Sequence, residues 1–332
     1  MENKLLKNKL FLAVVLLAAA VLGAARESAR AQEVKKVKHG YVAEPGYYWD
    51  VFQAQTNGYF KAEGLDVEST RFDVTSQTVT ALVTGAVNIV SVTPDVAMLA
   101  TIKGQGDVVI VSNEVRLPTW DLLVQPDIKT YADLKGKVLG VSQLQSASTL
   151  NLRQLLRKNG LKDNEYNILQ VGGSSKRYAA LQSKQIAATL ITEPVNFEAM
   201  DAGYRKLGGV YEASVVPSVV YAVTRSWART NDKVLVALLR AVYKAQDFIN
   251  NTKNKKEAVD LMVDLSKAQR TSVEKTYDKY VADLKVYNRG DINADVIKKT
   301  LEDMVEIEAI SKPIPDPNKM LDLSFRQKAL AK

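Results

Sequence analysis

From Val37 onward, short β-branched runs alternate with helical runs that open on a capping residue and stop at or near glycine. Strands separated by helices of about 10–15 residues argue for βαβ units and parallel sheets covered by helices. Val37–Val42, Leu65–Phe72, Asn88–Val92 and Asp107–Ser112 are the strands of a first series. The helices between them present Tyr48, Val51 and Phe52, then Val79, Leu82 and Val83, then Val96, Leu99 and Ala100 to a core. Thr75 and Thr93 read as N-caps, and Pro94 suits a first helical position. Val138–Ser142, Ile168–Val171 and Ala187–Ile191 are the strands of a second series, with helices opened by Ser146, by Gly172–Gly173–Ser174 and by Thr192–Glu193–Pro194. Val219–Thr224 is a last strand. Beyond it the pattern is helical over Val234–Ile249, Lys255–Ser266, Ser272–Leu284 and Asp295–Ile310.

One stretch recurs. Ala81–Leu82–Val83–Thr84 leads into Asn88–Ser91 and Thr93–Pro94, and Ala180–Leu181–Gln182–Ser183 leads into Ala187–Leu190 and Thr192–Glu193–Pro194, an offset of 99 residues. Its place halfway through each series predicts two similarly wound α/β lobes. No dinucleotide fingerprint, P-loop or nucleophile elbow is present, and Gly104–Gln105–Gly106 follows a helix, the wrong context for a dinucleotide loop.

Residues 1–31 differ from the rest. Lys4, Lys7 and Lys9 precede an unbroken apolar run from Leu10 to Leu22, and Ala29-x-Ala31 has the small-x-small form of a signal-peptidase site. Thirteen apolar residues fall short of the roughly 20 that span a bilayer, so cleavage after Ala31 is expected; an uncleaved anchor is the alternative. Three of the eight net positive charges belong to this segment, leaving +5 on residues 32–332. That mild charge, with no basic stretch interleaved with aromatics, argues against nucleic acid. The chain has no Cys and one His, which excludes disulfides, thiolate metal sites, cysteine nucleophiles and multi-His metal centres. No metal and no cofactor are expected. His39, within the first strand, reads as a structural histidine.

Four segments in order carry a resemblance: Gly58–Tyr59–Phe60–Lys61–Ala62–Glu63–Gly64–Leu65–Asp66–Val67–Glu68, Ala81–Leu82–Val83–Thr84–Gly85, Tyr131–Ala132–Asp133–Leu134–Lys135–Gly136–Lys137, and Ala180–Leu181 through Glu193–Pro194. Over most of residues 36–225 the chain resembles the periplasmic solute-binding proteins of the sulfonate/taurine/nitrate class of ABC importers, a superfamily shared with thiamine-pyrimidine-precursor proteins. It departs from the family at Asn88 and Ala187, where Asp is usual, and at Lys184, which replaces a Gly. The aromatic-and-Gly anion loop of alkanesulfonate binders is not evident in Asp73–Gln77, which counts against a sulfonate. The cysteine-rich motif of related pyrimidine synthases is absent.

The resemblance implies a type II periplasmic-binding-protein fold, two doubly wound lobes joined by two crossovers. Lobe 1 would hold residues 36–115 and 220–332, lobe 2 residues 116–219, with hinges near Val115–Trp120 and Val215–Val219. It implies a monomeric, exported, periplasmic protein that binds a small solute and hands it to an ABC permease in the inner membrane. The solute would be a sulfonate, a taurine-like molecule, a pyrimidine or an aromatic acid. A secreted enzyme using a cleft carboxylate pair is the alternative.

Ligands of open α/β sheets sit beyond the carboxyl ends of the strands, where helix N-termini offer N–H groups. The candidate ligand-binding residues are therefore Glu44, Tyr47, Trp49, Thr75, Ser76, Thr93, Asn113, Gln143, Ser146, Ser148, Gly173, Ser174, Thr192 and Glu193. Trp49 is expected to stack on a flat ligand, with Trp120 at a crossover and Trp227 remote from the site. Arg116 is the one arginine with an evident cleft position. The acidic turns at Glu44, Asp73, Glu114 and Glu193 favour an organic solute, aromatic or nitrogen-bearing, with at most one acidic group.

Overall fold

The structure, a computed structural model, describes residues 34–42, 45–144 and 146–331. The expected export segment, its expected cleavage site and Glu44 lie outside the described residues. Strands β1 (Lys35–Val42), β2 (Leu65–Phe72), β3 (Ile89–Val92), β4 (Val108–Val115) and β10 (Val219–Thr224) form one sheet; β5 (Asp121–Val124), β6 (Val138–Val141), β7 (Asn167–Gln170), β8 (Ala188–Ile191) and β9 (Arg205–Gly209) form the other. The helices are α1 (Trp49–Thr56), α2 (Tyr59–Ala62), α3 (Thr75–Val83), α4 (Pro94–Ile102), α5 (Ala147–Lys158), α6 (Ser174–Gln182), α7 (Val195–Asp201), α8 (Arg225–Thr230), α9 (Asp232–Asn250), α10 (Lys255–Ser266), α11 (Arg270–Asp278), α12 (Ala294–Glu306) and α13 (Ser324–Leu330). A π-type turn, Lys279–Asp283, continues α11.

The strand orders are β2-β1-β3-β10-β4 and β7-β6-β8-β5-β9. These are one winding used twice: a βαβαβ unit, then a strand delivered by a crossover, then an edge strand. The sheets are mixed rather than purely parallel. β10 runs antiparallel to β3 and β4, and β5 antiparallel to β8 and β9, because each arrives from the other sheet against the direction of the wound strands.

β5 and β9 are absent from the sequence pattern. β5 is four residues, too short for periodicity, and β9 reads Arg-Lys-Leu-Gly-Gly, a poor strand sequence. The repeat also shows in the backbone. Gly85 takes φ +77°, and Lys184, 99 residues on, takes φ +59° in the same turn. A side chain there is strained, which is why glycine is usual. Asn88 serves where Asp is usual: its Oδ1 accepts from the Lys38 N–H at 2.9 Å.

Apolar layers cover both faces of each sheet. Leu235, Leu238, Leu239 and Val242 of α9 bury against Val109, Val111 and Val223, while Ile297, Leu301 and Met304 of α12 join Val90, Ile110 and Ala222 on the opposite face. In the second sheet Leu152, Leu155 and Leu156 of α5 lie on one face and Leu181 and Ala199 on the other. Each such side chain contributes about 1.5–3 kcal/mol relative to exposure. The C-terminal helices also reach the second sheet's lobe. Arg157 pairs with Glu306, the Gln154 amide donates to Asp303 Oδ1 at 3.0 Å, and Lys275 pairs with Asp201 at 2.6 Å. Among the described residues no helix is long and apolar enough to cross a membrane.

Candidate functional site

The two crossovers bring Pro118–Trp120 and Val216–Ser218 side by side between the sheets. A cavity of about 30 Å³ lies against them. Its walls come from the start of α4 (Thr93, Pro94, Asp95), from α5 (Leu150, Asn151) and from α12 (Thr300, Asp303, Met304, Ile307). Both lobes and both crossovers therefore contribute. At that size it has room for a water or two, so an organic solute enters only when the walls part.

Some of its polar groups are met by the protein: Asp303 by Lys299 and Gln154, and the Thr300 hydroxyl by the Val296 carbonyl. Asp95 Oδ1 is buried without a hydrogen bond, and the Ser218 hydroxyl is turned to Tyr47. Asn151 is 3% exposed, and its amide makes no hydrogen bond among the described residues, nor does the Trp120 indole N–H. Thr93 sits at the N-cap position of α4 without a side-chain capping bond; its hydroxyl bonds the Asp95 carboxyl instead. Burial raises the Asp95 acid above its usual range, and the Thr93 hydroxyl and the Val96 N–H pull it partly back.

Beside the cavity, on the far side of Thr119, lies a buried charge cluster. Lys279 Nζ bonds Asp121 Oδ2 at 2.8 Å, the Thr119 carbonyl at 2.6 Å and the Glu193 carboxylate. Glu193 also accepts from the Thr119 hydroxyl at 2.7 Å, and Asp121 accepts from Asn196 at 2.6 Å and pairs with Lys206 at 3.0 Å. Burial opposes the Lys279 charge, but Glu193 and Asp121 outweigh it and hold its pKa above the usual lysine range. Burial pushes the Glu193 acid up, and Lys279 works against that. Three acceptors around Nζ make Lys279 the charged centre of the cluster.

The sequence candidates divide. Thr93 lines the cavity. Tyr47 lies beside it: its hydroxyl is 3.3 Å from Thr119 Oγ1, and burial, with the Glu193 charge second, raises its phenol well above the usual value. Glu193 is engaged by Lys279 rather than free for a ligand. Ser146 caps α5, and its hydroxyl joins those of Ser142 and Ser148 in a local net at 2.8–3.1 Å. Gln143 is exposed and its carbonyl accepts from Ser146 and Thr149. Thr192 donates to Ser174 at 3.3 Å, next to exposed Gly173. Thr75 and Ser76 lie at the partly open start of α3, whose N-cap is Val74 and not Thr75.

Three expectations are corrected. Trp49 is 0% exposed. It opens α1, and its indole N–H donates to the Ala258 carbonyl at 3.1 Å while its ring meets Tyr277 edge-on, so it is core and cannot stack on a ligand. Asn113 turns to the C-terminal segment, with Nδ2 3.4 Å from Asn288 Oδ1 and from the Asp291 carbonyl. Arg116 donates to the Leu284 and Lys285 carbonyls. The buried arginine near the strand ends is Arg177, which donates to the carbonyls of Leu190 and Gly172 and to Ser174 Oγ; burial lowers its pKa to about 10.

Sequence reasoning missed Asp95, Asn151, Ser218 and Lys279. Asp95 follows the Thr93–Pro94 signal and Ser218 follows Pro217, but nothing local marks Asn151 or Lys279. The remaining buried acids, Asp50 and Glu114, sit together under α1. Tyr221 and Gln246 donate to Asp50 at 3.0 and 2.8 Å. Burial raises both acids, and the neighbouring Asp50 charge raises Glu114 further.

Two wound lobes, two crossovers and a site between them define the periplasmic-binding-protein fold. The sequence pattern of the NMT1-like family matches residues 30–263, and the chain belongs to that family. YtlA of Bacillus subtilis, named a binding protein, is 25% identical over 66% of this chain and 68% of its own. The nitrate/nitrite binding protein NrtA of Synechococcus elongatus is 28% identical over 59% of this chain and 44% of its own. In structure, the periplasmic aliphatic sulphonate binding protein SsuA of Escherichia coli superposes with a TM-score of 0.72 at 18% identity, covering 86% of this chain and 92% of that one. The ligand-binding component of an ABC-type import system of Staphylococcus aureus does so at 0.75 and 15% identity, covering 89% and 99%.

Proposed function

We propose that this chain is the exported solute-binding component of an ABC importer. It captures a small organic solute between its lobes and delivers it to an inner-membrane permease. The observation that carries this reading is the cavity itself, whose walls come from both lobes and both crossovers and which holds a buried acceptor, Asp95 Oδ1, that the protein leaves unpaired. Residues 36–115 with 220–332, and 116–219, are the two bodies that move, and the segments around Pro118 and Pro217 absorb the rotation. Binding closes the lobes and presents a surface made from both of them to the permease.

The carboxylates that line the cavity are Asp95 and Asp303, and Asp303 is engaged by Lys299 and Gln154, which leaves the enzyme alternative no free pair there. Glu193 and Asp121 are neutralised by Lys279 and Lys206, and Asp50 and Glu114 do not line the cavity. The names of the relatives agree with binding. Export rests on residues 1–31, and the mature chain should begin at Gln32, which the intact mass of periplasmic protein checks. Small-angle scattering with a bound solute tests the main reading: compaction is expected, and a radius of gyration unchanged at saturation would contradict it.

A further inference from the structure

We propose that the inter-lobe cavity selects a small, flat nitrogenous solute, neutral or cationic, and rejects sulfonates and other anions. N–H groups of the solute meet Asp95 and Asn151, and its ring lies against Trp120. This rests on the binding reading above and deepens it.

Asp95 Oδ1 faces this small space buried and without a partner, and the Asn151 amide and the Trp120 indole N–H line it without a hydrogen bond among the described residues, while the Ser218 hydroxyl is turned to Tyr47. A buried polar group left unpaired costs about 1–3 kcal/mol, so a fold that gathers several around one cavity leaves them for something that enters. Asp95 is also a first-turn acid, a position favoured by the α4 dipole. The Thr93 hydroxyl and the Val96 N–H account for that role, and neither of them satisfies Oδ1.

Charge decides the class. The ionisable side chains lining the cavity are Asp95 and Asp303, and no Lys, Arg or His is among them. Asp303 is already engaged by Lys299 and by Gln154. An entering anion would meet the Asp95 carboxylate in a space of low dielectric, with no cation to receive it. Arg177, the buried cation of the neighbouring turn, is outside the lining and gives its N–H groups to Leu190, Gly172 and Ser174. A cation or an N–H donor gains Asp95 Oδ1 as acceptor. The Trp120 face adds stacking or cation–π contact, and Pro94, Pro118 and Pro217 bound the space with apolar surface.

The test uses four probes of one size: benzamidine (cation), benzamide (neutral donor), benzoate and benzenesulfonate (anions). Each is titrated by calorimetry and thermal shift into the exported chain and into the Asp95→Asn and Asn151→Leu variants. Benzamidine and benzamide should bind and the anions should not. Asp95→Asn should weaken benzamidine about tenfold or more and benzamide by less than about threefold, and Asn151→Leu should weaken both. If Asp95→Asn does not fold, Asn151→Asp takes its place and should tighten benzamidine alone. Anions binding as well as benzamidine, with affinity lost in Asn151→Leu, would overturn the proposed class while leaving the solute-binding reading standing. Silence from all four probes would also overturn the class, and in that case the scattering experiment with native solute still decides the binding reading by itself. Equal benzamidine affinity in wild type and Asp95→Asn would remove Asp95 from the site.

Discussion

Replacing Lys279 by methionine should destabilise the protein by about 3–5 kcal/mol, the usual consequence of removing one partner from a buried ion pair. Lys279 is 6% exposed, Asp121 0% and Glu193 1%. Methionine keeps most of the stem, so the change isolates the charge. Asp121 would retain Lys206 at 3.0 Å and Asn196 at 2.6 Å. Glu193 would keep only the hydroxyls of Thr119 at 2.7 Å and Tyr280 at 3.4 Å and the Asn196 amide at 3.4 Å, with no cation. The loss therefore falls on Glu193, and Lys279→Met/Glu193→Gln should recover most of it. Urea midpoints of the two single variants and the double variant, taken at pH 7, give the coupling directly. The sign with pH follows. Burial already raises the Glu193 acid, and without Lys279 it rises further, so the deficit of Lys279→Met should shrink as pH falls and Glu193 takes up a proton. A loss below about 1 kcal/mol, or a double variant no more stable than Lys279→Met, would refute the view of this cluster as a desolvated and mutually dependent network.

His39 is buried between Ser69 and Ser91, at 3.1 and 2.8 Å, and burial lowers its pKa to about 3. Its contribution is complete above the unfolded value of 6.5 and is lost as pH falls toward 3, so His39→Gln should flatten the acid limb of the stability curve by up to about 1.4 kcal/mol per pH unit; an unchanged limb would contradict it. Lys184→Gly relieves the left-handed backbone at φ +59° and should stabilise by about 1 kcal/mol in urea titration. Trp49→Phe removes the bond to Ala258 and should cost about 1–3 kcal/mol of stability with solute affinity unchanged; weakened calorimetric affinity would return Trp49 to the site.

The fold was largely legible because its signals are local. β2, β10 and α10 have the bounds that the sequence pattern gives them, since β-branched runs, caps and stop glycines act over a few residues. The 99-residue repeat announced two lobes and reappears as one strand order used twice. The site was legible only in part. Ser146, Thr192 and Ser174 stand at helix starts, where a hydroxyl can cap its helix or meet a ligand, and local partners satisfy them. The cavity instead gathers residues 95, 120, 151 and 218, which lie far apart in the sequence and meet only in the fold. Tyr47, Tyr48 and Trp49 look alike in sequence, yet Trp49 begins a helix and turns to α10, while Tyr47 stays beside the crossover. Lys279 reaches Glu193 across 86 residues, and no spacing rule foretells that.

The central claim is that the chain binds a solute between its lobes and releases it unchanged. Native mass spectrometry of protein isolated gently from the periplasm, followed by identification of the small molecules it releases, tests this most directly. One nitrogenous, neutral or cationic solute is predicted at up to one per chain, displaced from the Asn151→Leu variant and chemically identical before and after incubation. A solute that is converted on incubation, or one retained equally by Asn151→Leu, would contradict the account.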